Sequence, residues 1–144
     1  MQYFFDTSAV VKLYHQETGS DRVLPLYQDG EPIMISELSK VEFLSTIHKK
    51  PRTGEITTDT LMAVRDRFMA DCSNRFIVVH VASFIVDAAL DFLNTHGRTN
   101  HIFSLDALQL ATLSIVAEKD ITFVCADKRL TTLVKTIDFP VLEL

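Results

Sequence analysis

The sequence predicts an α/β domain of three layers, with helices on both faces of a central parallel sheet. Three observations lead there. Short apolar runs alternate with helical segments along the whole chain. The run Ile121–Cys125 (ITFVC) has no polar alternation, as expected of a central parallel strand buried on both faces. Two apolar runs end in an aspartate that opens the next helix. With 144 residues, 47% hydrophobic and 23% charged, the chain suits one globular domain spanning 1–144. Four Gly and four Pro exclude collagen-like and low-complexity architectures, and no repeat occurs at solenoid periods.

The elements follow in order. Gln2–Phe5 reads as a strand closed by Asp6, after which Thr7 and Ser8 offer capping hydroxyls to the helix AVVKLYH. Residues 32–35 repeat the pattern, with Ser36 as the cap of ELSKVEFLSTIHKK. Residues 51–54 break that helix, and residues 57–59 begin another that runs to about Cys72. RFIVVH, residues 75–80, is a β-branched strand, and residues 82–96 form a helix ended by Gly97. Residues 104–118 form a strongly apolar helix, with a turn at 119–120 before the strand Ile121–Cys125. A helix over 127–135 and a short strand over 141–144 complete the chain. The polar segments 16–22 and 50–60 read as connections.

Several function classes fall away. Cys72 and Cys125 alone make neither a disulfide framework nor a zinc site, and they suit a reducing compartment. His15, His48, His80, His96 and His101 form no HExxH. No GxGxxG, GxxxxGK[ST] or GxSxG is present, so dinucleotide, P-loop and nucleophile-elbow chemistry lack their fingerprints. No run reaches the ~20 apolar residues of a membrane span. The N-terminal MQYFFDTSAV has no basic region and carries an Asp in its apolar run, so the expected location is cytoplasmic. The formal net charge of −5 argues at first against a nucleic-acid partner. Carboxylates that bind divalent cations count as negative only on paper. Two Mg²⁺ ions would bring the balance to about −1.

The acids are therefore the informative residues. Asp106 is the one charge in sixteen residues of IFSLDALQLATLSIVA, and an uncompensated carboxylate in so apolar a helix is strained. Its alternative role is a first-turn acid favoured by the helix dipole. Asp6 and Asp127 each close a strand, and if the first and fourth strands are neighbours at the switch point the two face each other. Their alternative role is helix capping. Glu42 shares a helix face with Leu38, Val41 and Ser45 and is expected to point inward, whereas Glu37 falls on the other side and is solvated. Four acids converging at one sheet end would repel unless a cation neutralised them. An all-oxygen site selects Mg²⁺ or Mn²⁺ over zinc and can activate water for phosphodiester cleavage.

FFDTSAVVKLY, ISELSKVEFLS, LDALQLAT and VCADKRLTTL together resemble, in order and across essentially the whole chain, the four motifs of the PIN-domain ribonucleases. The nearest resemblance is to the VapC-type toxins of type II toxin–antitoxin pairs. It implies a three-layer α/β/α PIN-like fold and a Mg²⁺ site formed by Asp6, Glu42, Asp106 and Asp127. It implies hydrolysis of RNA leaving a 5′-phosphate and a 3′-hydroxyl, inhibition by a cognate antitoxin, and a homodimer. Ser8 matches a small hydroxyl position beside the first acid. Cys125 departs from the pattern, since the family often has Thr or Ser two residues before the last acid.

Lys49, Lys50 and Arg52 make the one basic run, and Lys128 and Arg129 follow the last acid directly. All five are candidate RNA contacts, with helix-end or surface charge as the alternative. Cys72 and the apolar residues of 36–72 default to packing. Two rival functions fit poorly: a D-x-D phosphatase lacks its second Asp at Ser8, and a receiver domain needs an Asp where the third strand ends at His80. A catalytically silent PIN-like RNA- or protein-binding module, or a PIN nuclease outside a toxin–antitoxin system, remains the alternative function.

Overall fold

The computed structural model describes residues 1–117 and 120–144. Five strands, β1 (Gln2–Phe5), β2 (Ile33–Ser36), β3 (Ile77–Val79), β4 (Ile121–Cys125) and β5 (Val141–Glu143), form one sheet in the order β3-β2-β1-β4-β5. Every pairing is parallel. The order reverses around β1, which lies between β2 and β4, so the carboxyl ends of β1 and β4 frame the crevice where open α/β sheets bind ligands. The register pairs Phe5 with Val124 and sets Asp6, next in the chain, beside Cys125.

The helices are α1 (Thr7–Tyr14), α2 (Ser20–Gln28), α3 (Leu38–Arg52), α4 (Thr58–Asn74), α5 (Ser83–His96), α6 (Ser104–Val116) and α7 (Lys128–Thr136). Successive strand residues point to opposite faces, and the neighbours Phe4 and Phe5 each anchor a different core. Phe5 joins Val10, Ile35, Phe43 and Phe68 on the face covered by α1–α4. Phe4 joins Leu110, Leu113, Phe123 and Leu133 beneath α6 and α7. Within the first core, Phe43 stacks on Phe68 at 3.9 Å between centroids, and Tyr14 meets both rings edge-on. The Tyr14 and Tyr27 hydroxyls both donate to Asp71, which ties α1 and α2 to α4.

Four expectations need correction. Residues 16–22 are not simply a connection, because α2 begins at Ser20. Its sequence, SDRVLPLYQ, carries Pro25 and a weak apolar stripe, so local propensity argues against it. Tertiary contacts override that: Val23 is fully buried, and Leu24, Leu26 and Tyr27 pack on the first core. Ser36 is not the cap of α3, because Glu37 holds that position and the Ser36 hydroxyl accepts the Leu38 N–H at 3.2 Å; the break expected at 51–54 does occur, with the helix ending at Arg52 and Gly54 turning the chain at φ 76°. The third strand is shorter than residues 75–80. The cap of α1 is Asp6 rather than the hydroxyls of Thr7 and Ser8. The end of the 104–118 helix and the start of the 119–120 turn lie outside the described residues; α6 is described to Val116.

Because Phe68 joins α4 to both Phe43 and Tyr14, Phe68→Ala should cost about 3–5 kcal/mol in urea unfolding. A loss below about 1 kcal/mol would mean that the aromatic cluster does not hold α4 to the sheet.

Candidate active site

Asp6, Glu42, Asp106 and Asp127 line one cavity of about 500 Å³ at the carboxyl ends of β1 and β4. Local chemistry places each one. Asp6 is the N-cap of α1: its Oδ2 accepts the Ser8 N–H at 3.0 Å and the Ser8 hydroxyl at 2.6 Å. Asp127 is the N-cap of α7, and its Oδ1 accepts the N–H groups of Arg129 and Leu130. Asp106, in the first turn of α6, accepts the backbone N–H of Phe103. The capping and dipole roles weighed as alternatives are thus real, and they coexist with convergence on one cavity.

Glu42 points inward as expected, but on a different face of α3. Val41 is 70% exposed and Ser45 is exposed, whereas Ser39, Phe43 and Lys50 are buried. Glu42 Oε1 lies 2.9 Å from the Thr7 hydroxyl and accepts Gln109 Nε2 at 2.9 Å. Gln109 Nε2 also reaches Ser39, which the Thr7 hydroxyl meets at 2.9 Å. This buried network joins α1, α3 and α6, and it leaves Gln109 Oε1 buried without a partner among the described residues. Glu37, half exposed, accepts the Val81 N–H and pairs with His80 outside the cavity.

Asp106 is not uncompensated, contrary to expectation. The Arg129 guanidinium bridges its Oδ2 at 2.8 Å and Asp127 Oδ2 at 3.3 Å. Arg129 also donates to the His101 carbonyl and lies over the Phe103 ring, so it fastens the loop before α6 to α7. The strain falls elsewhere. Burial, opposed by the Ser8 bonds and aided by the charge of Asp106, raises the Asp6 pKa from 3.8. Burial and the charges of Asp6 and Asp106 likewise raise that of Glu42 from 4.5.

Ser8 accepts the Ala126 N–H at 3.0 Å while donating to Asp6, so one hydroxyl locks the ends of β1 and β4 together. Cys125 takes up the partners of a hydroxyl: its Sγ lies 3.7 Å from Asp6 Oδ2 and accepts the Asp127 N–H at 3.3 Å. Burial and Asp6 push the thiol pKa well up, so it remains a neutral donor. Among the candidate RNA contacts, Lys50 is buried and lines the cavity, and Arg129 sits on the acids. Lys49, Arg52 and Lys128 are exposed and do not line it.

Sequence pattern alone passes over Thr7, Ser39, Gln109 and Lys12. Gln109 and Lys12 carry a usable signal, each being a polar side chain inside an apolar helix, as Asp106 is. Among the described residues, no three His, Cys, Asp or Glu side chains stand arranged to hold a metal ion. Asp106 and Asp127 are engaged by Arg129, and Glu42 by Thr7 and Gln109. The donor set nonetheless fits a hard divalent cation: four carboxylates line one cavity, and two of them already share one positive charge, the Arg129 guanidinium.

The PIN domain profile matches residues 3–135. The chain belongs to the PIN domain family. The fold is shared with VapBC2 of Rickettsia felis bound to a promoter DNA fragment, at TM-score 0.70 and 13% identity, covering 100% of this chain and 99% of that one. It is shared with Mycobacterium tuberculosis VapC20, a sarcin–ricin-loop-cleaving toxin, at TM-score 0.66 and 19% identity over 91% and 94% of the two chains. FitAcB of Neisseria gonorrhoeae matches at TM-score 0.68 and 14% identity over 97% and 96%. No curated protein matches this PIN domain in sequence.

Folding raises the Asp6 pKa, so between the ordinary carboxylate range and the raised value the folded chain holds a proton that the unfolded chain has released. Its contribution therefore lowers stability as pH climbs through that window. In EDTA at neutral pH, Asp6→Asn should melt at least about 3 °C above the parent, with the gain vanishing as pH falls below the ordinary carboxylate range. A variant that melts lower than the parent at every pH would identify Asp6 as a cap alone.

Proposed function

We propose that this PIN domain is a Mg²⁺-dependent endoribonuclease, the toxin of a type II toxin–antitoxin pair. The observation that carries the reading is the convergence of four carboxylates, from four separate segments, on one cavity at the switch point of the sheet. A divalent cation held there would polarise a phosphodiester and lower the pKa of a water molecule beside it. Asp6, Asp106 and Asp127 are the residues to hold Mg²⁺, with Mn²⁺ as a substitute. Glu42, steadied by Thr7 and Gln109, completes the set or orients the attacking water. Loading the site requires Arg129 to leave the carboxylates, which frees its guanidinium for a phosphate oxygen. No histidine base is needed.

The same acids suit inhibition by a cognate antitoxin that presents an Arg or Lys, just as Arg129 engages them from within. The solved structures of like fold include a toxin–antitoxin complex, which supports this assignment. A homodimer fits the exposed apolar side chains of α3 and α4, Val41, Met62 and Met69. No helix of the described residues is long and apolar enough to cross a membrane, and the reading remains a cytoplasmic protein acting on RNA.

Incubation with total RNA tests the reading. Fragments should appear in Mg²⁺ and not in EDTA, ending in 5′-phosphate and 3′-hydroxyl groups. Asp106→Asn and Asp127→Asn should each cut at least about 100-fold more slowly while remaining folded. Cleavage that continues in EDTA, or survives both substitutions, would contradict the proposal.

A further inference from the structure

The cavity does not end at the carboxylates. Lys12 of α1 and Lys50 of α3 line it as well, and they are 9% and 8% exposed. Lys12 lies six residues beyond Asp6, and Lys50 eight beyond Glu42. At ~1.5 Å of rise per residue, the lysines stand ~9 and ~12 Å further along the two helices than the acids. His15, at the C-cap of α1, reaches Glu55 beyond α3 at 3.7 Å, so the far ends of these helices meet. One cleft therefore carries the four carboxylates at one end and two lysine–glutamate pairs at the other, with Glu17 also in its lining.

Each lysine is held in position. The Lys12 stem passes over Gly19, where an added Cβ would come within 3.3 Å of Cδ, and the Lys12 carbonyl accepts the buried Ser20 hydroxyl. Gly19 itself has φ 93°, so side chains are disfavoured there on two grounds. Lys12 Nζ pairs with Glu17 at 2.9 Å and Lys50 Nζ with Glu55 at 3.0 Å. Both lysine side chains are 10% exposed, whereas those of Glu17 and Glu55 are 33% and 49% exposed. Each ammonium is thus largely buried while the carboxylate that pairs with it keeps access to water. Glu17 lines the cavity beside Lys12, whereas Glu55 lies outside its lining. An ammonium has three donors, and one glutamate bond on each leaves room for an anion.

We propose that Lys12 and Lys50 form a phosphate subsite at the far end of the cavity, which takes a backbone phosphodiester of the RNA strand whose scissile phosphodiester lies among the carboxylates. This rests on the endoribonuclease reading. The subsite would bind backbone rather than base, and so would contribute affinity and register without sequence preference. It also answers how a polyanion enters a cavity rich in carboxylates: the lysines hold the strand while Arg129 exchanges partners.

The test is anisotropy of a short, fluorescein-labelled single-stranded RNA in EDTA, titrated across KCl concentrations. The variant Lys12→Met, Glu17→Gln, Lys50→Met, Glu55→Gln replaces both pairs without changing net charge. Its affinity should fall about 10-fold, and its salt slope by about 0.7, for the one phosphate no longer neutralised. Mn²⁺ binding measured by calorimetry should persist, which places the loss outside the carboxylates. Conversely, Glu17→Gln with Glu55→Gln frees both lysines and should tighten RNA binding, an arm that decides the matter if the fourfold variant does not fold. Unchanged affinity and slope in a folded fourfold variant, or no tightening in the Gln pair, would overturn the subsite alone, provided that the parent cleaves RNA in Mg²⁺. A parent that neither binds nor cleaves RNA would overturn both this subsite and the reading beneath it.

Discussion

Carboxylates brought together in a half-buried cavity repel one another and lose hydration, and the rest of this molecule is arranged around that cost. Asp6 and Asp127 are placed by the parallel pairing of β1 with β4, and each spends oxygen lone pairs on the N-terminus of the helix it starts. Asp106 does the same in the first turn of α6. Helix N-termini carry partial positive charge, so three of the four acids sit where the backbone itself favours an anion. The compensation is incomplete. Asp6 and Glu42 remain harder to ionise than free carboxylates, and Arg129 closes the balance from outside by spanning Asp106 and Asp127. On the proposed reading, a divalent cation would take the place of that guanidinium.

The helix-cap and catalytic readings of these aspartates are not rivals. A cap fixes the carboxylate at the start of the helix, at the carboxyl edge of the sheet, with one oxygen tied down. At Asp127 the cap uses Oδ1 and leaves Oδ2 toward Arg129; at Asp6, Oδ2 takes the Ser8 bonds. Capping thus supplies the orientation that a coordinating ligand needs. Ser8 and Cys125 extend the same logic, since both bind the strand ends and Asp6 at once. Cys125 shows that a thiol can take over a hydroxyl position when it stays protonated.

Much of this is legible in the sequence because it depends on local pattern. Apolar runs ending in Asp announce β1 and β4 and the acids at their tips, and a lone charge in an apolar helix announces Asp106. What escapes such a reading depends on contacts between distant segments. α2 forms despite Pro25 because Val23 and its neighbours are buried by other elements. Glu42 reads as inward on a face shared with Val41, yet α3 packs through Ser39, Phe43 and Ile47, so a periodicity count alone chooses the wrong stripe. Gln109 and Lys12 stand in apolar runs as plainly as Asp106. An amide or ammonium there reads as a site only once its partners, Glu42 and Glu17, are known.

Anomalous diffraction from crystals grown in Mn²⁺ asks whether these carboxylates are gathered for a divalent cation. A manganese peak is expected, bounded by Asp6, Asp106 and Asp127, with Arg129 withdrawn from both carboxylates. No peak in the cavity at saturating Mn²⁺, with Arg129 still bridging Asp106 and Asp127, would contradict that expectation.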